Sequence, residues 1–123
     1  MSKALNESFG TVGYDKLFVE NIPVADVVTV KLVAAGVVKR GTVLSGTPGG
    51  ADFAALTAAA SAEKALYVLA EDCDTAEDTV GIAYRTGHFN RNALIVGAGY
   101  TLTAADEEIL RKSGILLADA IEY

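Results

Sequence analysis

The apolar residues of this chain come in short runs closed by turn-forming residues, and that rhythm limits the fold more than any other feature. Val24 to Val33 reads Val-Ala-Asp-Val-Val-Thr-Val-Lys-Leu-Val behind Pro23, a β-branched run whose proline suits a strand start at a sheet edge. Ala65 to Ala70 and Val80 to Thr86 predict two further strands. In the second, Val80, Ile82 and Tyr84 fall on one face with a period of two. The acidic stretch Glu71 to Thr79 joins them as a loop.

Other segments are read from their turns. In "AGVVKRGTVLSG" the Lys39-Arg40-Gly41 step predicts a tight hairpin turn between two apolar segments, with Gly41 free to take a positive φ. Gly46 to Ala62 opens with turn residues and continues as alanine-rich sequence, and is expected to be a flexible surface excursion. Gly87 is expected to end a strand, Asn90 to Asn92 to turn the chain, and Ala93 to Val96 to form another short strand before the turn Gly97 to Gly99.

The pattern then changes. Thr103 stands as an N-cap with Asp106 three residues on, and acids crowd the first turn where they complement the helix dipole. The predicted helix ends at Arg111 and Lys112 with Gly114 just past it, and turns Leu102, Ile109 and Leu110 to the core. The tail "ILLADAIEY" is expected to return as a final strand. Residues 1–20 show neither period and read as an extended arm, whose aromatics are either covered by the domain or held for a partner. The fold expected is mainly β: a small barrel-like or sandwich-like domain over residues 21–123, with one short C-terminal helix and the extended N-terminal arm.

Composition narrows the function. With 123 residues and 51% apolar content, the chain fits a single domain with a real core. A formal charge of -6 argues against a phosphate backbone as partner, so no nucleic acid is expected. No stretch approaches the roughly 18 apolar residues of a membrane span, and the first residues lack the apolar run of a signal peptide. Synthesis in the cytoplasm is the resulting expectation. Cys73 is the single cysteine, so no internal disulfide and no paired-thiol motif is available.

The stretch most suggestive of chemistry is "GHFNRNAL", which gathers His88, Asn90, Arg91 and Asn92. A histidine base needs a nucleophile or a positioned carboxylate, and no nucleophile motif occurs in the chain. The plainer reading is an imidazole hydrogen-bonded at a strand end. Asp72, Asp74, Glu77 and Asp78 resemble a calcium loop only loosely, because the required glycine and terminal glutamate are missing. Gly49-Gly50 lacks a following Lys-Ser/Thr, and Gly97-Ala98-Gly99 lacks a third glycine. No catalytic residue, metal or cofactor is expected. The aromatics of the arm suit strand addition to another protein's sheet edge.

The succession "LAEDCDT", then "YRTGHFNRNAL", then "GYTLTAADEEILRKSGILLADAIEY", with "GVVKRGTVL" more loosely before it, resembles the lambda-type head decoration proteins of tailed bacteriophages and prophages. The resemblance spans roughly residues 63–123. It implies a small β-rich structural protein, not an enzyme, that forms a homotrimer on the outside of the expanded capsid at three-fold and quasi-three-fold positions. There it would bridge neighbouring major capsid proteins against the pressure of packaged DNA, with its location the virion exterior. It further implies an N-terminal segment that becomes ordered on the capsid, which by position places contacts at Tyr14, Leu17, Phe18 and Val19. His88, Phe89, Asn90 and Arg91 would be a subunit-interface signature. The alternatives are another virion component, such as a head–tail joining or tail-tube protein, and a small β-rich ligand-binding or accessory domain built on His88 and the acidic loop.

Overall fold

In the computed structural model, residues 17–20, 25–49, 51–61 and 63–119 are described. Among them, nine strands and one α-helix occur in this order: β1 (Phe18–Glu20), β2 (Asp26–Lys31), β3 (Val37–Val38), β4 (Val43–Thr47), β5 (Ala51–Ala55), β6 (Ala65–Leu69), β7 (Cys73–Asp74), β8 (Val80–Asn90), α1 (Ala104–Ser113) and β9 (Ile115–Ala118). Seven strands form one sheet in the order β1-β8-β6-β4-β5, with β2 and β9 also on β8, while β3 and β7 pair separately. The chain is mainly β with its helix near the C-terminus, as the short apolar runs predicted.

Strand β4 shows why the sheet carries two cores. Successive side chains of a strand point to opposite faces, and both Val43 and Leu44 are fully buried. Val43 joins Leu66, Val68, Phe89, Leu110 and Ile115 in a layer covered by α1. Leu44 joins Val30, Leu32, Phe53, Leu69 and Ala83 on the other side. There the sheet curls back on itself without closing. A single parallel bridge, Leu32 to Phe53, with Val33 N donating to Phe53 O at 2.9 Å, draws β5 toward β2.

Strand β8 is longer than expected and runs through Gly87 to Asn90. A bulge makes this compatible with both cores. Asp26 pairs with Thr86 but Val27 pairs with Tyr84, so Arg85 has no residue directly opposite. An extra residue reverses the facing of the strand beyond it. Ala83 thus faces the inner core, and Phe89, at odd spacing from Tyr84, joins it in the helix-covered layer.

Three local expectations need correction. The turn at Lys39 to Gly41 forms, with Thr42 N and Oγ1 both donating to Lys39 O and Gly41 at φ +94°. It does not make a hairpin, because β3 pairs with β7 instead of β4. Thr75 sets that choice: its hydroxyl accepts from Ala35 N and donates to Gly36 O, each at 2.8 Å. The acidic stretch accordingly contains strand β7.

The second correction concerns Gly46 to Ala62, which is not a surface excursion. It supplies β5, whose Phe53 is fully buried and stacks on Tyr67 at 5.1 Å. Small neighbours make room for that ring: a Cβ on Gly46 would lie 2.6 Å from it. The third is the strand expected at Ala93 to Val96. The chain instead makes a 3₁₀ turn at Arg91–Ala93, and only Ile95 bridges, to Thr42.

The helix matches expectation closely. Thr103 Oγ1 accepts from Asp106 N while Asp106 accepts from Thr103 N, and Gly114 caps the other end at φ +103°. Leu110 is fully buried, with Leu102 and Ile109 partly so against the same core. Gly114 O then accepts from Gly87 N at 3.1 Å, delivering the tail to β8, where β9 lies parallel.

Candidate functional site

The polar cluster around His88 lies on the C-terminal half of β8, held between the first and last strands. Phe18 pairs with Phe89 and Glu20 with His88 on one side, and Leu116 and Leu117 match His88 and Phe89 on the other. Phe89 is fully buried and stacks on Phe18 at 5.0 Å, while Phe18 meets Tyr84 edge-on at the same distance. Gly87 is required by this packing, since a Cβ there would sit 2.7 Å from the Phe89 ring and 3.3 Å from Phe18. Asn90 caps the following turn, its Oδ1 accepting from Asn92 N at 3.1 Å.

Arg91 is committed to structure. Its Nε and Nη2 donate to the two carboxylate oxygens of Glu107 at 2.8 and 2.9 Å, a bidentate fork, and Nη1 reaches Asp119 at 2.8 Å. These hydrogen bonds push its pKa further up, so it stays charged. The guanidinium thereby ties the end of β8 to α1 and to the residue after β9. Of the signature His88, Phe89, Asn90 and Arg91, His88 and Asn90 are partly exposed and lie outside both the aromatic core and the Arg91 ion pairs.

The residues that could have joined His88 in chemistry lie elsewhere. Cys73 is buried beside the inner core, its Sγ 3.4 Å from Asp78 O. Burial first, then Asp78 and Asp74, push its thiol pKa up, which keeps it protonated and poorly nucleophilic. The acidic loop uses its carboxylates on backbone: Asp72 accepts from Arg40 N, Asp74 from Ala76 N and Asp78 from Val80 N. These bonds hold a turn.

A buried carboxylate was visible in the sequence only as a cap. Asp106 is 1% exposed and accepts from Ala60 N at 2.8 Å, Thr103 N at 2.9 Å and the Tyr100 hydroxyl. Burial raises its pKa, but the hydrogen bonds from Tyr100, Ala60 and Thr103 outweigh that and hold it below the ordinary value. The same contact to Asp106, with burial, raises the Tyr100 pKa.

What the surface offers a partner is apolar and β-shaped. Val27 (53% exposed), Val80 (49%) and Ile82 (40%) stand on the outer face of β2 and β8, where Thr29 pairs with Ile82 and Lys31 with Val80. Among the described residues β2 forms its ladder with β8, and just beyond it Leu32 bridges Phe53 of β5. Of the expected contacts, Tyr14 lies outside the described residues and Val19 is described only as backbone in β1. Leu17 is buried and Phe18 packs in the aromatic cluster, so both belong to the domain's own core.

A family model described as bacteriophage lambda head decoration protein D matches residues 15–116. The chain belongs to that family. No curated protein matches it. As a member of the head decoration family it is a structural protein of the phage virion, carried on the capsid exterior, and the family is not one of enzymes. No helix among the described residues is long and apolar enough to cross a membrane. The family match begins ahead of β1, at residue 15, so it takes in buried Leu17 and the partly buried Phe18 packed against the same core.

Proposed function

We propose that this decoration protein binds the outer surface of the expanded capsid as a homotrimer at three-fold and quasi-three-fold positions, bridging neighbouring major capsid proteins against internal DNA pressure. The match to the head decoration family over residues 15–116 carries the reading. The physical character of the chain suits it. Its formal charge of -6 disfavours binding to nucleic acid, and the exposed Val27, Val80 and Ile82 on β2 and β8 offer an apolar contact surface. Copies acting together turn modest single contacts into avidity.

Leu17 and Phe18 are engaged in the core, so the capsid contact is assigned to the arm they root, with Val19 at its junction with the domain. His88 and Asn90, partly exposed at the end of β8, are the positions of the signature suited to a subunit neighbour. The test is co-sedimentation of the purified protein with expanded capsids that lack it and with unexpanded procapsids. Binding to the expanded shells alone is expected. Failure to bind expanded shells would overturn the reading.

A further inference from the structure

Among the described residues, the exposed large apolar side chains fall into two groups. Val27, Val80 and Ile82 lie on the outer face of β2 and β8. Val33 (39% exposed), Val37 (55%) and Ile95 (41%) instead line a groove of about 210 Å³, together with the buried Leu44 and Phe53. Of its lining side chains only Lys39 and Thr42 are polar. A concave surface with exposed apolar walls and few polar groups has the character of a binding site. An apolar cavity of roughly 150 Å³ accepts a benzene ring, so the groove has room for one large apolar side chain.

One wall of this groove, formed by Ala35, Val37 and Lys39, is strapped to the acidic stretch. Val37 pairs with Asp74 across β3 and β7, and the Thr75 hydroxyl bonds Ala35 N and Gly36 O. Glu71, Asp72, Asp74, Glu77 and Asp78 are all exposed there. Lys39 Nζ meets Asp72 at 3.8 Å. Asp74 and Asp78 accept from the backbone N–H groups of Ala76 and Val80, which leaves their charges in place. A negative field therefore borders the groove and favours a basic occupant. A second copy of this chain, with its formal charge of -6, would bring like charge to the same place.

We propose that this groove docks a segment of the major capsid protein in which a large apolar side chain stands beside a Lys or Arg. The apolar side chain fills the groove against Val37 and Ile95, and the cation lies toward Asp74 and Glu77. This docking rests on the capsid reading, to which it adds a second contact. Leu44 and Phe53 belong to the core on the sheet face opposite Leu17 and Phe18. The groove and the root of the arm thus grip from two sides, so one copy can hold two neighbouring capsid segments, and the paired contacts add avidity.

The test uses full-length protein and expanded capsids that lack it, with binding measured by co-sedimentation. Val37→Asp, or Ile95→Asp should the first perturb folding by circular dichroism, puts a charge in the groove and is expected to weaken binding about tenfold or more. Thr101→Asp adds the same charge at an exposed position outside the groove and should bind as wild type. Glu71→Gln combined with Glu77→Gln is expected to weaken binding severalfold at low salt, with the difference disappearing at high salt. Groove variants that fold and bind as tightly as wild type would overturn the proposal and leave the capsid reading intact. So would full binding by the doubly neutralised protein at low salt. A groove variant that loses its oligomeric state in sedimentation equilibrium would also overturn it, by making the groove an interface between copies. Wild type that ignores expanded shells would overturn the capsid reading itself, and the docking with it.

Discussion

The Tyr100 hydroxyl donates to Asp106 across one turn of chain, and the same carboxylate accepts from Ala60 N, forty-six residues away. One buried side chain thus caps α1, closes the Tyr100 turn and anchors the segment leading to β6. Asp106→Ala leaves all three donors without their acceptor. A loss of about 2–4 kcal/mol is expected in urea unfolding, with a smaller loss for Tyr100→Phe and non-additivity in the double variant.

The pH dependence comes from the direction of the Asp106 shift. Its folded pKa lies below the unfolded value, so the unfolded state takes up the proton first as pH falls. The contribution is fully present above the unfolded carboxyl value of about 3.9 and is lost as pH falls through the folded pKa. Denaturant midpoints measured from pH 6 downward should drop more steeply for wild type than for Asp106→Asn below about pH 4. Parallel curves would contradict this.

Gly87→Ala places a methyl group 2.7 Å from the Phe89 ring. Overpacking of this kind costs about 1–3 kcal/mol, and a lowered Tm is expected. Phe89→Leu should recover part of the loss in the double variant, because it removes the atoms that clash. Equal losses with and without Phe89→Leu would count against a steric origin.

Phe53→Ala is expected to cost about 3–5 kcal/mol, the signature of a core position. Amide exchange should also accelerate at Val33, whose N–H is bonded to Phe53 O.

Arg91→Lys keeps the charge and removes the fork to Glu107. The side chain is partly exposed, so a loss of at most about 1 kcal/mol is expected, shrinking as salt is raised. Thermal melts at low and high ionic strength would show it.

The helix was legible because its signals are local: Thr103, Asp106 and Gly114 fall within one short segment, and each satisfies backbone groups of that segment. Strand β5 was not, because the value of Phe53 depends on Leu32 and Gly46, which approach it only in the fold. The pairing of β3 with β7 hung on Thr75, about forty residues from the backbone it binds. The polar cluster at His88 to Asn92 was visible, but its meaning lay in Glu107 and Asp119, which convert Arg91 from a candidate reactive group into a brace. Period two was correctly read at Val80, Ile82 and Tyr84, yet it did not say that the buried face would be that of Ala83.

Phe89 is flanked in register by Phe18 on one side and Leu117 on the other. Synthesis delivers Phe18 before Phe89 and Leu117 after it. The aromatic core around β8 therefore stays uncovered on one edge until β9 has been made. A nascent chain halted before Ile115 would expose that edge to other chains, and only the addition of β9 removes the hazard.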